Sequence, residues 1–137
     1  MSVGLPQRAQ SFGESMSLSQ SHQTVLVVED EPIVRMYAVD LLQDAGYDVI
    51  EAGDAEQALA QLDARADVAL MFSDINMPGE MDGFALAREV HRRRPDIRLI
   101  LTSGKMAMDA SVADIDAFVA KPYTADRLTS LLRASLN

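Results

Sequence analysis

With 137 residues, 48% of them hydrophobic and 24% charged, the chain is long enough for one globular domain with a sizeable core. A formal net charge of −9 argues against sequence-independent nucleic-acid binding, which needs Lys/Arg surfaces. The absence of cysteine excludes disulfides and thiol chemistry. No apolar run approaches the roughly 20 residues of a membrane helix, and the N-terminus lacks the basic start and apolar core of a secretory signal. The expectation is a cytoplasmic protein with neither membrane nor nucleic-acid partners.

Residues 1–23 are rich in Ser and Gln without an apolar period, and read as a disordered tail ahead of a folded domain over 24–137. From Thr24 the texture is regular. Val25-Leu26-Val27-Val28 is a continuous apolar run, the mark of a strand covered on both faces. Pro32 suits a first helical turn, and Val34, Tyr37, Ala38, Leu41 and Ala45 come after it at helical spacing, with Gly46 as C-cap. Tyr47 to Glu51 reads as a second strand. Asp54 and Gln57 open the next helix as a variant capping box, with Ala55, Ala58, Leu59 and Leu62 as its apolar stripe. Val68 to Phe72 is a third strand, and Phe84 to about Arg93 a helix stopped by Pro95. Its basic end, Arg92-Arg93-Arg94, reads as a solvated helix C-terminus favoured by the dipole. Ile97 to Leu101 is a fourth strand, succeeded by a short, weakly helical segment near Met106 to Val112. Asp116 to Ala120 is the last strand, and Thr124 caps a closing helix with Leu128, Leu131 and Leu132 on one face. This alternation predicts a doubly wound α/β domain, a five-stranded parallel sheet with helices on both faces.

In such folds ligands lie beyond the carboxyl ends of the strands, so the residues just after each strand carry the chemistry. Glu29-Asp30-Glu31 stand after the first strand, Asp74 after the third, Thr102-Ser103-Gly104-Lys105 after the fourth and Lys121-Pro122 after the fifth. Carboxylates converging without Arg repel one another. A divalent cation removes that difficulty, and hard oxygen ligands suit Mg²⁺. A carboxylate beside a metal, facing a Lys and a hydroxyl, can accept a phosphoryl group by in-line attack. Each residue also has a plain structural role open to it. Asp30 can cap the first helix, Asp74 can form a turn before Pro78-Gly79, Ser103 can be a satisfied strand-end hydroxyl, Lys121 can be surface and Phe118 core. Their coincidence on one sheet edge favours the site.

These residues, in this order, resemble the receiver domain of two-component response regulators over about residues 24–136. "VLVVEDE" resembles the family's acidic-pair strand, "DINMPGEMDG" its phosphoacceptor loop, "LTSGK" its switch-hydroxyl strand and "KPY" its Lys-Pro turn. The resemblance implies the flavodoxin/CheY-like strand order 2-1-3-4-5, with Asp74 as phosphoacceptor. It implies Mg²⁺ bound by Glu29, Asp30, Asp74 and the backbone carbonyl of Asn76. Ser103 and Lys121 would contact the phosphoryl group, Lys121-Pro122 would be a cis peptide, and Phe118 would be the switch aromatic that moves with Ser103. Asn76 and Lys105 would flank the acyl phosphate and tune its hydrolysis. The implied phosphodonor is a sensor histidine kinase or a histidine phosphotransfer protein, with output through a downstream protein partner.

Three features depart from the commoner family pattern. The loop from Asp74 to Gly83 carries one extra residue at Gly79-Glu80, 17 residues separate Ser103 from Lys121, and a cation stands at position 105. No second domain is expected after Asn137 or before Thr24, although an excised piece of a larger kinase fits as well. The same residues allow two rival functions. One is a degenerate receiver acting as a phosphorylation-independent binding module, which the filled acidic, hydroxyl and Lys positions disfavour. The other is a Mg²⁺-dependent phosphohydrolase with an Asp nucleophile, disfavoured by Asn76 standing where a second acid would act as general acid/base.

Overall fold

The computed structural model describes residues 23–104 and 115–137. In chain order the elements are β1 (Thr24–Val28), α1 (Pro32–Asp44), β2 (Asp48–Ala52), α2 (Ala55–Ala64), β3 (Val68–Asp74), α3 (Gly83–Arg93), β4 (Arg98–Ser103), β5 (Ala117–Ala120) and α4 (Ala125–Leu136). The strands pair in parallel in the order β2-β1-β3-β4-β5, as the resemblance implies. The helical segment expected near Met106 to Val112, like Lys105, falls outside the described residues.

Strand side chains alternate between faces, so each apolar run feeds two cores. Leu26, Val28, Met71, Leu99 and Leu101 face α2 and α3, meeting Ala58, Leu62, Leu86 and Val90. Val25, Val27, Leu70, Phe72, Ile100 and Val119 face α1 and α4, meeting Ala38, Leu42, Leu128 and Leu132. This double coverage is why the central strands show no polar alternation in the sequence.

The helix ends obey local chemistry. Asp54 accepts a hydrogen bond from Gln57 N at 2.8 Å, while Gln57 Oε1 accepts one from Gly53 N at 2.7 Å. Thr124 Oγ1 likewise accepts one from Arg127 N. At the end of α1, Gly46 takes a φ of 99°. Its N–H reaches Gln43 O at 3.0 Å and Tyr47 N–H reaches Leu42 O at 3.1 Å, a Schellman motif just beyond the Ala45 C-cap.

The buried stripe of α1 differs from the expected one. It runs through Ala38, Val39 and Leu42, while Tyr37 is 48% exposed and Ala45 lies at the surface. Extending the stripe back by i−3 and i−4 places Arg35 on the inner edge, where its partners lie at the carboxyl edge of the sheet. Both β3 and β4 run two residues further than their apolar content suggests, because the ladder continues through polar residues, pairing Asp74 with Thr102. Asp74 is therefore part of the sheet and not of the loop.

Candidate functional site

The order of connections reverses between β1 and β3, and the carboxyl ends of these strands flank the resulting crevice. Each functional position is tied to the last rung of a ladder. Glu29 N donates to Ala52 O at 3.0 Å, Ile75 N to Thr102 O at 2.9 Å, and Lys121 N to Ser103 O at 3.0 Å. The side chains of Glu29, Asp74, Ser103 and Lys121 therefore project from a common rigid edge.

Carboxylate oxygens of Glu29, Asp30 and Asp74 all lie within 4.8 Å of one another. Asp30 is not the cap of α1. The N-cap is Glu31, whose side chain makes no capping hydrogen bond. Lys121 Nζ lies 2.9 Å from Glu29 Oε1 and 3.4 Å from Asp74 Oδ2, so it bridges the two buried acids and sits closer to Glu29. The peptide bond between Lys121 and Pro122 is cis, as the resemblance implies. Glu29 Oε2 also accepts from Glu31 N at 3.2 Å. Asp74 Oδ1 receives the N–H of Asn76 at 3.4 Å, and Asp74 O receives the hydroxyl of Ser73 at 2.9 Å. The side-chain Nδ2 of Asn76 donates to Ser103 Oγ at 3.0 Å, joining the third and fourth strand ends. Phe118 stands opposite Leu101 in the β4–β5 register, half-buried against the core on the α2–α3 side.

Charge balance at this edge is strained. Burial pushes the Glu29 carboxyl above its ordinary value, with Asp74 adding to the rise and the Lys121 ammonium only partly opposing it. For Lys121 burial is the largest single influence and pulls downward. Its hydrogen bond to Glu29 and the Asp74 charge together outweigh it and leave the ammonium favoured. Tyr123, directly after the Lys-Pro turn, is buried and has its phenol raised by burial and by the Glu29 and Asp74 charges. Three acidic side chains facing one ammonium leave an excess of negative charge. Their close oxygens, beside the exposed loop at Asn76, match the all-oxygen donor set of Mg²⁺.

Sequence patterns alone did not single out three supporting residues. Arg35 Nη1 donates to Glu29 O at 2.7 Å while Arg35 Nε pairs with Glu51 Oε1 at 3.1 Å, so one guanidinium ties the acidic turn to β2. This contact accounts for the polar inner edge of α1, and a lone Arg on a helix gives no hint of it. Asp82 caps α3 by accepting from Ala85 N at 2.9 Å, a signal that the spacing to the apolar run could have revealed. Gly83 packs directly on the end of β3. A Cβ there would lie 2.2 Å from Asp74 O and 2.6 Å from Ile75 Cα.

A parallel sheet of this order with three acids and a Lys at its carboxyl edge defines a doubly wound α/β fold of the flavodoxin/CheY-like class, and comparison with known proteins narrows it. Residues 25–133 match the model of the response regulator receiver domain. The chain is 40% identical over 119 residues to the sensor kinase CckA of Brucella abortus, covering 82% of this chain and 12% of that protein. It is 32% identical over 118 residues to the chemotaxis protein CheY of Bacillus subtilis, covering 82% of this chain and 97% of that one. Among solved structures, the response regulator TrrA from Thermotoga maritima, in complex with Mg²⁺-BeF, superposes with a TM-score of 0.77 at 30% identity. That match covers 83% of this chain and 99% of TrrA. The receiver domain of NtrX from Brucella abortus gives 0.76 at 33% identity, covering 82% and 97%. The chain belongs to the response regulator receiver domain family. It spans only a fraction of several larger relatives, such as 26% of the nitrogen regulator NtrX of Azorhizobium caulinodans.

Proposed function

We propose that Asp74 accepts a phosphoryl group from a phosphohistidine on a sensor kinase or a histidine phosphotransfer protein. The observation that carries this reading is the cluster itself: Glu29, Asp30 and Asp74 oxygens within 4.8 Å, with the Lys121 ammonium 3.4 Å from Asp74 Oδ2. An Asp74 carboxylate oxygen attacks phosphorus in line, the P–N bond breaks, and the leaving imidazole keeps the electron pair and takes up a proton. Lys121, bridging Glu29 and Asp74, offers an ammonium to the phosphoryl oxygens. The Ser103 hydroxyl, now accepting from the Asn76 amide, donates to a phosphoryl oxygen once Asp74 is modified. Glu29, Asp30, Asp74 and the Asn76 carbonyl would hold Mg²⁺, which neutralises charge on the transferred group when bound.

Phosphorylation adds about −1.5 to −2 charges at this strand end. Ser103 and Lys121 move toward that charge, and Phe118 turns further toward the core as Ser103 moves. The result is a shift between two arrangements of the β4 and β5 ends that a downstream protein reads. The domain would turn over only its own acyl phosphate. The test is incubation with acetyl phosphate and Mg²⁺, read by intact mass. The expected product is one base-labile phosphate, absent in Asp74→Asn. Equal uptake by that variant refutes the site, no uptake by the parent points to a pure binding module, and steady multiple turnover points to a hydrolase.

A further inference from the structure

The extra residue at Gly79-Glu80 is not used by the phosphoacceptor chemistry. It lies on one wall of a cavity of about 440 Å³ between the first turn of α2 and the loop joining β3 to α3. The apolar part of the lining is buried Ala55 with half-buried Leu59 and Met81, whose inner surfaces continue into the core. The polar part is acidic. Asp54, Glu56 and Glu80 line it, and among the described residues no Lys or Arg does. The exposed acids Glu51 and Asp67 and the half-buried Glu89 are each paired with an Arg, whereas Glu56 and Glu80 have no such pairing among the described residues.

Gly79 adopts a φ of +106°, and a Cβ there would meet nothing within 4 Å. Its role is conformational: the left-handed backbone it adopts directly precedes Glu80, which lines the same cavity as the first turn of α2. The chemistry of the lining discriminates among occupants. An anion is repelled, because Asp54 already satisfies the α2 N-terminus and two further carboxylates flank it. The lining does not make a metal site either: among the described residues, the carboxylates that approach closely enough are those of Glu29, Asp30 and Asp74. The volume lies near the lower end of the roughly 300–1,000 Å³ of ligand sites, enough for an anchor side chain but not a domain. A methionine wall adapts to an aliphatic anchor, and the carboxylates of Glu56 and Glu80 at the mouth favour flanking cations.

We propose that this groove docks a basic peptide segment of a partner protein, with an aliphatic anchor in the cavity and Lys or Arg against Glu56 and Glu80. The groove wall and Asp74 belong to one continuous segment, since Gly83 N returns to Ile75 O at 2.9 Å and closes the loop on the acceptor strand. The probe is a fluorescein-labelled peptide with a central Leu pair flanked on both sides by Lys and Arg. It is titrated into the ¹⁵N-labelled full chain at low salt. Amide shifts confined to residues 54–59 and 77–83 are expected, with affinity falling at least tenfold in the Glu56→Lys/Glu80→Lys double variant. The same fall is expected when the peptide's Leu pair is replaced by Ser. The double variant should still take up one phosphate from acetyl phosphate, so the groove and the phosphoacceptor site fail separately. The proposal is overturned if the probe produces no shifts. It is also overturned if the shifts spread over the acidic surface, or if the Leu-free peptide or the double variant binds as tightly.

Discussion

Replacing Gly83 by Ala tests how Asp74, the proposed acceptor, is held, because the contact involves backbone alone. The added Cβ would stand 2.2 Å from Asp74 O, 2.6 Å from Ile75 Cα and 2.9 Å from Asp74 C. None of these atoms can rotate away, so α3 and the end of β3 must separate by about 1 Å to restore ordinary contact. Overpacking of this kind costs roughly 1–3 kcal/mol, and a clash with three backbone atoms belongs in the upper half of that range. For a folded unit of roughly 110 residues, a cost of about 2–3 kcal/mol lowers Tm by roughly 8–12 °C. The same displacement moves the Asp74 carboxylate relative to Lys121 and Ser103, and a misplacement of about 1 Å can slow a positioned reaction about 100-fold. Thermal melts and initial rates of phosphate uptake from acetyl phosphate measure the two effects. Gly79→Ala is the control. It is strained by its φ of +106° but has open space around the new methyl, so it should lose stability without a comparable loss of rate. A Gly83→Ala protein that melts and takes up phosphate like the parent would refute this account of the contact.

The electrostatics and the helix ends give two further outcomes. Mg²⁺ should raise Tm at neutral pH by about 1.4 kcal/mol at ten times its Kd, or roughly 6 °C. The sign comes from Glu29, whose raised folded-state pKa adds stability below its ordinary 4.5 and loses it as pH rises through the folded value. The cation offsets that loss, so its effect should fade as pH drops below 4.5; an equal Mg²⁺ shift at pH 4 and pH 7 contradicts the assignment. Arg94 donates to Leu62 O, Arg65 O and Ala66 O at 3.1–3.2 Å, closing the C-terminus of α2 from the end of α3. Arg94→Ala should cost about 1–2 kcal/mol in urea titration, because three bonds from a charged donor are lost at a half-exposed site. Phosphate uptake should not change, since the contact lies at the opposite edge of the sheet, and an unchanged urea midpoint would show the bonds to be idle.

Local and one-dimensional signals in the sequence were enough for much of this domain. Apolar runs such as Val25 to Val28 declare a strand covered on both faces, and Asp54, Thr124 and Gly46 set helix ends through bonds to their own neighbours. The order of acids, hydroxyl and Lys after the strands was legible too, because a parallel sheet puts all carboxyl ends on one edge. The features that the tertiary structure alone decided depend on partners far apart in the chain. Lys121 meets Glu29 across 92 positions, and no spacing rule says that it will favour that acid over Asp74. The inward turn of Arg35 depends on Glu29 O and Glu51, which only the β1–β2 pairing brings side by side. Gly83 stands in sequence merely one residue ahead of the helix expected from Phe84, yet its missing Cβ is demanded by the Asp74 backbone packed against it. Periodicity and capping are properties of a segment, whereas distances between strand ends arise only when the sheet closes its ladders and the helices pack upon it.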